Sequence, residues 1–163
     1  MVFYTDILPE KYRPQIRMML QKYGEEFIPP LSVRSGTTQK SFDESNNKNS
    51  EDYYHKMINQ AFIIDVEEDM VRGFLSFIPD YSLSLKDNIL VCDYISTIIV
   101  KKEYRNQNIT KKMYNELFKR RSSRVYVTRT WSSNYAHLHI LNSIGFTQFF
   151  NISNDRGNGI DTV

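Results

Sequence analysis

Apolar and polar positions along the chain change period several times, and the sharpest change falls between residues 91 and 121. Residues 91–100, VCDYISTIIV, are dense in β-branched and aromatic side chains (Tyr94, Ile95, Thr97, Ile98, Ile99, Val100) and predict a long strand. Soon after, Ile109, Met113 and Leu117 recur at i, i+4 and i+8, with Tyr114 and Phe118 widening the stripe, which predicts an amphipathic helix. The polar run Arg105-Asn106-Gln107-Asn108 separates the two. A strand that feeds a helix through such a turn leaves the first N–H groups of the helix without internal partners, and the helix dipole makes that end attractive to anions. An ordinary connection with a solvated basic helix gives the same pattern.

The remaining segments alternate in the same way. Residues 9–27 predict a helix with Ile16, Met19, Leu20 and Tyr23 on one side and Pro14 in its first turn. Residues 32–50 are polar and rich in Gly, Ser and Asn, and predict a flexible loop beside the substrate. A short helix over 51–60 turns Tyr54, Met57 and Ile58 inward. Residues 61–65 and 70–78 predict a hairpin through the acidic turn Val66-Glu67-Glu68-Asp69, with Gly73 marking a bulge or a close backbone approach. A loop over 80–88 leads to the long strand. Downstream come a strand over 124–130, a helix over 133–144 ended by Gly145, a strand over 147–152 and a strand starting at Ile160. Helices alternating with strands, plus consecutive hairpin strands, predict an α+β or mixed α/β layer fold around one twisted sheet, as a single domain over 1–163.

Composition narrows the classes. A net charge of +2 is too small to argue for nucleic acid, Trp131 is the only Trp, and the basic positions 119–121 sit at a helix end where cations are favoured anyway. The single cysteine, Cys92, excludes an internal disulfide framework and fits a reducing interior. No apolar run is long enough for a bilayer, and the first residues carry acids where a signal peptide has a basic start, so the expected location is the cytoplasm. Charge is distributed unevenly. Residues 60–93 hold seven acids against Arg72 and Lys86, a balance of −5, while residues 101–124 hold nine Lys/Arg against Glu103 and Glu116, a balance of +7. The basic block flanks the proposed anion-binding turn, which points to a phosphorylated ligand.

The order helix, loop, helix, hairpin, long strand, turn-helix, strand, helix, strand resembles the GNAT acetyltransferase superfamily over essentially the whole chain. The family turn R/Q-x-x-G-x-G/A corresponds to Arg105-Asn106-Gln107-Asn108-Ile109-Thr110, with both glycines replaced. Of the downstream pattern N-x-x-A-x-x-L-Y-x-x-x-G-F, Asn134, Gly145 and Phe146 match, while His137, Ile140 and Leu141 stand for Ala, Leu and Tyr. The resemblance implies a GNAT-like fold, a central mixed sheet with helices on both faces, and acetyl-CoA as co-substrate with no metal. By the same analogy the main chain of Ile98, Ile99 and Val100 pairs with the pantetheine arm. Amides of Arg105, Asn106, Gln107, Asn108, Ile109 and Thr110 hold the pyrophosphate, and Asn134 bonds the pantetheine. Asn134 also suits a helix cap.

Acetyl transfer to an amine requires a neutral amine, a stabilised oxyanion and a protonated leaving thiolate. The family commonly draws the last proton from a Tyr, and position 141 is Leu. A thiol of pKa about 8.5 leaves acceptably near neutral pH, whereas a lysine amine of about 10.4 is almost wholly protonated, so deprotonation needs more help than departure. Tyr94, Asp93 and Ser96 are the candidate catalytic residues at the start of the long strand, with a core aromatic as the other reading of Tyr94. His137 and His139 are read as structural, and His55, His137 and His139 make no metal spacing. The expected activity is N-acetyl transfer to a primary amine of a small molecule or peptide; the alternative is a non-catalytic acyl-CoA-binding or interaction module. The acidic turn and the long loop suit a cationic acceptor. No nucleic acid or membrane partner is expected, and the chain end at Val163 leaves an edge that a second copy of the chain would cover.

Overall fold

A computed structural model describes residues 1–34, 36–38, 50–85, 88–121 and 125–163. Its elements are β1 (Val2–Thr5), α1 (Arg13–Tyr23), α2 (Ser50–Met57), β2 (Ala61–Glu67), β3 (Met70–Ser84), β4 (Ile89–Val100), α3 (Ile109–Arg120), β5 (Tyr126–Thr128) and α4 (Tyr135–Ser143). The strands form one mixed sheet in chain order, antiparallel from β1 to β4 and parallel between β4 and β5. The α+β class read from the sequence is the class observed.

Each face of the sheet buries the apolar stripe of its own helices. On one face Ile16, Met19, Leu20 and Tyr23 of α1 and Tyr53 and Met57 of α2 pack with Phe62, Ile64, Phe74 and Ile99. On the other, Ile109, Met113, Tyr114 and Leu117 of α3 and Leu141 of α4 cover Ile63, Leu75, Phe77 and Ile95. Both stripes follow the 3.6-residue period that the sequence displays.

Several expectations are corrected. The hydrophobic period of residues 9–27 belongs to a helix only over Arg13–Tyr23, flanked by 3-10 turns. β1 was not expected; Val2, Phe3, Tyr4 and Thr5 are β-formers that the pattern offered, and they pair along Asp65, Ile64, Ile63 and Phe62. On α2, Tyr53 rather than Ile58 is the fully buried partner of Tyr54 and Met57. Of the loop expected over 80–88, Lys86 and Asp87 lie outside the described residues, and residues 80–84 are strand: β3 runs to Ser84, and Tyr81 and Leu83 pair with Cys92 and Leu90. Pro79 and Asp80 sit where the register shifts, and Asp80 has φ 52°, so the missing N–H of Pro79 disturbs no ladder bond.

The strand expected over 147–152 does not form. Only Ile152 makes a bridge, to Thr162, and Thr162 also bridges Trp131. The place beside the chain after β5 is taken by the last residues, with Thr130 and Val163 exchanging N–H···O bonds of 2.9 Å, which leaves residues 147–151 no ladder to join. Of the flexible loop expected over 32–50, Ser35 and residues 39–49 lie outside the described residues, as does Arg124 of the strand expected over 124–130. The described part of that loop is packed: Arg34 and Thr37 are buried.

Candidate active site

A bulge creates the cleft. Ser76 pairs with Thr97 and Phe77 with Ile95, so Ser96 is an extra residue in β4. Bulges sharpen local twist and bend the bulged strand. Pairing of β4 with β5 stops just there, at Ile95 opposite Thr128. From Ser96 to Val100 the edge of β4 that faced β5 has no strand partner among the described residues, and a cleft of about 700 Å³ opens along it, walled by Tyr23, Phe27, Trp131 and His137 among others.

The far end of this cleft is the turn into α3. Asn106 (φ 63°) and Asn108 (φ 58°) both adopt the left-handed conformation, which Asn reaches more readily than other non-glycine residues. This places Asn108 as the N-cap of α3 without a side-chain capping bond. The first helical bond in the turn is Lys112 N–H to the Asn108 carbonyl at 3.0 Å. Among the described residues, no hydrogen bond is made by the N–H groups of residues 106–111. Asn106, Asn108, Ile109, Thr110 and Lys111 line the cleft. Arg105 differs from its neighbours: its N–H is turned to the Lys102 carbonyl at 3.3 Å, and its guanidinium bonds the Val100 carbonyl (3.1 Å) and Glu26 (2.8 Å). It lines the cleft beside Glu26 and ties the turn to the end of β4. Gly73 lets β3 pass under this corner, since a Cβ there would stand 3.1 Å from the Ile99 carbonyl oxygen, 3.1 Å from Val100 Cγ2 and 3.2 Å from Ile109 Cγ2.

The three residues expected to be catalytic fare differently. Asp93 is wholly buried beneath the sheet, where Arg121 grips both carboxylate oxygens and the Asp80 N–H adds a bond of 3.2 Å. It fastens the end of α3 to β4 and does not line the cleft. Tyr94 is equally buried, its hydroxyl donates to the Thr38 carbonyl at 2.9 Å, and burial pushes its phenol well above the ordinary range. It is the core aromatic. Ser96 alone of the three reaches the cleft. Its hydroxyl donates to Gln60 Oε1 at 2.6 Å, and Gln60 is oriented by its own bond to Thr37 Oγ1 at 2.8 Å. Ser96 Oγ therefore receives the Ser76 hydroxyl at 2.9 Å, with Thr97 Oγ1 3.5 Å away as a further neighbour. Next to it, Thr97 Oγ1 shares a 2.7 Å bond with Tyr53 OH. Sequence reasoning missed Gln60 and Tyr53; no spacing links them to Ser96, and only the packing of α2 brings them there.

On α4, Asn134 caps the helix, accepting from His137 N–H at 3.4 Å, while its amide nitrogen donates to Thr130 Oγ1 at 3.0 Å. His137 lines the cleft, with Nε2 3.1 Å from Tyr114 OH. Burial pushes its imidazole down to about 4, so the ring is neutral where it shares this bond with Tyr114. Cys92 is buried, and burial followed by the nearby Asp93 carboxylate pushes its thiol up, which removes it as an acyl carrier. The acidic turn after β2 lies elsewhere: Asp69 is held by Lys11 at 2.9 Å and Glu67 by Arg72 at 3.0 Å, and none of its residues lines the cleft.

No family model matches the chain, and no curated protein matches it either. Solved structures do. A ribosomal-protein-alanine N-acetyltransferase from Brucella melitensis superposes with a TM-score of 0.67 at 14% identity, covering 99% of this chain and 95% of that one. A GNAT-family acetyltransferase from Streptococcus pneumoniae gives 0.62 at 14% identity, covering 99% and 96%. The aminoglycoside N-acetyltransferase AAC(6')-Iy, solved with CoA, gives 0.63 at 9% identity, covering 93% and 95%. The chain has the GNAT acetyltransferase fold. Position 141, where the GNAT pattern carries Tyr, holds a Leu141 that is 7% exposed and buried in one cluster with Met113 and Leu117 of α3. Of the two glycine positions in the GNAT turn, the first holds Asn108 in the left-handed conformation and the second holds Thr110 within α3, and Asn106 adds another left-handed residue.

Proposed function

We propose that the protein is an N-acetyltransferase that uses acetyl-CoA and acylates a primary amine. One observation carries the reading: a row of N–H groups over residues 106–111, with no internal partner among the described residues, stands at the head of a cleft whose floor is an unpaired strand edge. Backbone donors at a helix start suit a diphosphate, and an unpaired strand edge suits an extended amide-bearing chain. In this reading Asn106, Gln107, Asn108, Ile109 and Thr110 hold the phosphates, and the main chain of Ile98, Ile99 and Val100 pairs with the pantetheine. Asn134 keeps α4 at the cleft edge through its cap and its bond to Thr130. Acetyl-CoA supplies the activated acyl thioester, so the amine gains the acetyl group and the free thiol is released.

Ser96 supports this chemistry by position. Its hydroxyl is committed as a donor to Gln60, so toward the cleft it acts as an acceptor and orients an amine N–H at the point where β4 and β5 part. Glu26 is the single carboxylate among the described cleft residues and is held by Arg105, so no free carboxylate of the described cleft stands ready to take the amine proton. Calorimetric titration with acetyl-CoA, followed by thiol release against a panel of primary amines, tests the proposal. Binding that survives intact in Asn108→Pro, which cannot reach a positive φ, would refute the amide site. The second reading, a binding module, is favoured by the buried Leu141 and by the commitments of Asp93 and Tyr94; it predicts coenzyme binding with no thiol release from any amine.

A further inference from the structure

The cleft is lined from both faces of the sheet. Ile98 and Val100 pack on the side of α3 and α4, with Ile109 and Ile140, whereas Ile99 packs on the side of α1 and Thr97 bonds Tyr53 there. The amide turn opens α3, so a coenzyme held by it lies on the first side, and the acceptor is left with the second. Two rings wall that second side. Phe27 follows α1 and Trp131 follows β5; both are half-buried, both line the cleft, and their centroids stand 5.7 Å apart.

The rings are held where they stand. Next to Phe27, the Ile28 carbonyl accepts from Arg156 at 2.7 Å and from Arg34 at 3.4 Å, and the Pro29 carbonyl accepts from Arg34 at 2.9 Å. The Arg34 guanidinium lies 5.2 Å from the Phe27 ring and that of Arg156 lies 5.9 Å from the Trp131 ring. The main chain fixes Trp131 as well: its carbonyl accepts the Asn134 N–H at 2.9 Å, and it bridges Thr162. An apolar surface ordered in advance binds a matching group without the cost of ordering itself. Carboxylates offer nothing comparable. Glu26 is paired with Arg105, and the acidic turn after β2 is held by Lys11 and Arg72 and lines no part of the cleft. A second ammonium group on an acceptor would meet no unpaired carboxylate of the described cleft, while a ring would meet two rings.

Resting on the acetyltransferase reading, we infer that Phe27 and Trp131 select the acceptor, and that it is a primary amine joined by a short carbon link to an aromatic ring. This replaces the polycationic acceptor that the acidic turn suggested. Aromatic rings prefer offset or edge-to-face neighbours, and a tilted pair such as Phe27 and Trp131, with 54° between the planes, offers a third ring both contacts. The amine then lies toward Ser96, where β4 and β5 part. Desolvation beside the rings disfavours the ammonium form and lowers the amine pKa, which eases the deprotonation for which the described cleft holds no ready carboxylate. A free arylalkylamine and a peptide that begins with an aromatic residue share this chemistry.

The test uses binding, so that it stands apart from turnover. Trp131 is the only Trp of the chain, so its emission reports on this wall directly. The protein is saturated with CoA and titrated with phenethylamine against propylamine and spermidine, and with short peptides that begin with Phe against the same peptides beginning with Gly. The ring-bearing member of at least one set should bind about 10- to 100-fold more tightly than its ringless partner, the range expected for burying a ring of that size, and should change Trp131 emission as it binds. Which set shows the preference tells a free amine from a peptide. Phe27→Leu should cut the preference about 2- to 10-fold, and Phe27→Tyr should keep most of it. Equal binding with and without the ring, tightest binding of spermidine, no binding of any amine, or ring-selective binding that leaves Trp131 emission unchanged would overturn the inference, and none of these requires a variant to fold. Ring-selective binding without thiol release in the presence of acetyl-CoA would instead sink the acetyltransferase reading alone, and thiol release confined to ringless amines would sink the inference alone.

Discussion

Gly73→Ala separates two opposed physical effects by sign. An alanine at an unstrained strand position restricts the unfolded chain and stabilises by about 0.4–1 kcal/mol. At Gly73 the added methyl would meet the Ile99 carbonyl at 3.1 Å, Val100 Cγ2 at 3.1 Å and Ile109 Cγ2 at 3.2 Å. The two methyls can yield slightly, but the carbonyl is held in the β3–β4 ladder, where Ile99 pairs with Phe74. Overpacking of this kind costs about 1–3 kcal/mol, so the clash wins and the net change is a loss of about 1–2 kcal/mol. For a domain of this size that lowers Tm by about 2–8 °C. The displaced groups belong to the end of β4 and the first residue of α3, the two sides of the amide turn. Coenzyme affinity should therefore fall several-fold along with stability. Thermal melts monitored by circular dichroism and calorimetry with acetyl-CoA read both. A rise in Tm would show that the close approach does not exist, and a fall in Tm with full affinity would uncouple Gly73 from the turn.

Other perturbations follow from the same geometry. Arg121→Met strands the Asp93 carboxylate beneath the sheet and should cost about 3–5 kcal/mol in urea unfolding, most of it recovered in Asp93→Leu/Arg121→Met. Asn108→Gly should keep coenzyme affinity, whereas Asn108→Ala, which must hold φ near 58°, should lose about 1 kcal/mol of stability and some affinity by calorimetry. His137 is neutral when folded, with its imidazole pushed down to about 4 by burial, and binds a proton near 6.5 when unfolded. Stability present above pH 6.5 is then lost as pH falls toward 4, by about 2–3 kcal/mol, and the fall should be shallower in His137→Phe across a pH series of urea titrations.

The long strand, the polar turn, the α3 stripe and Asn134 were legible because each depends on local period or on one residue's conformational habit. Ile109, Met113, Tyr114 and Leu117 are the buried residues of α3, as the spacing required. Ser96 was legible as a candidate but not as a bulge, because a bulge is a property of two strands in register and β3 supplies the other half. Asp93 and Tyr94 misled for a related reason: a carboxylate and a phenol on a strand look chemical until their partners are known, and Arg121 and Thr38 come from distant segments. The strand expected over 147–152 failed in the same manner, since β-propensity expresses packing against neighbours and the neighbouring edge was already taken by Val163. The meeting of Arg34 and Arg156 at the Ile28 carbonyl had no signal at all, the two being separated by most of the chain.

Low identity with a retained fold has a physical basis here. A side-chain phosphate site must keep its lysines and arginines, but an amide site needs only that the backbone turn correctly. The chain meets that need with Asn106 and Asn108 in the left-handed region and gives up both glycines of the pattern it resembles. The unpaired β4 edge is likewise set by the bulge at Ser96 and by the three-residue length of β5, not by any reactive group. Side-chain chemistry is free to change around such a frame, and it has: Leu141 sits where the pattern has Tyr, and His137 where it has Ala. Under the proposed function, a cleft anchored by main chain and specialised by side chains would place the identity of the acceptor, rather than that of the acyl donor, in the residues peculiar to this sequence.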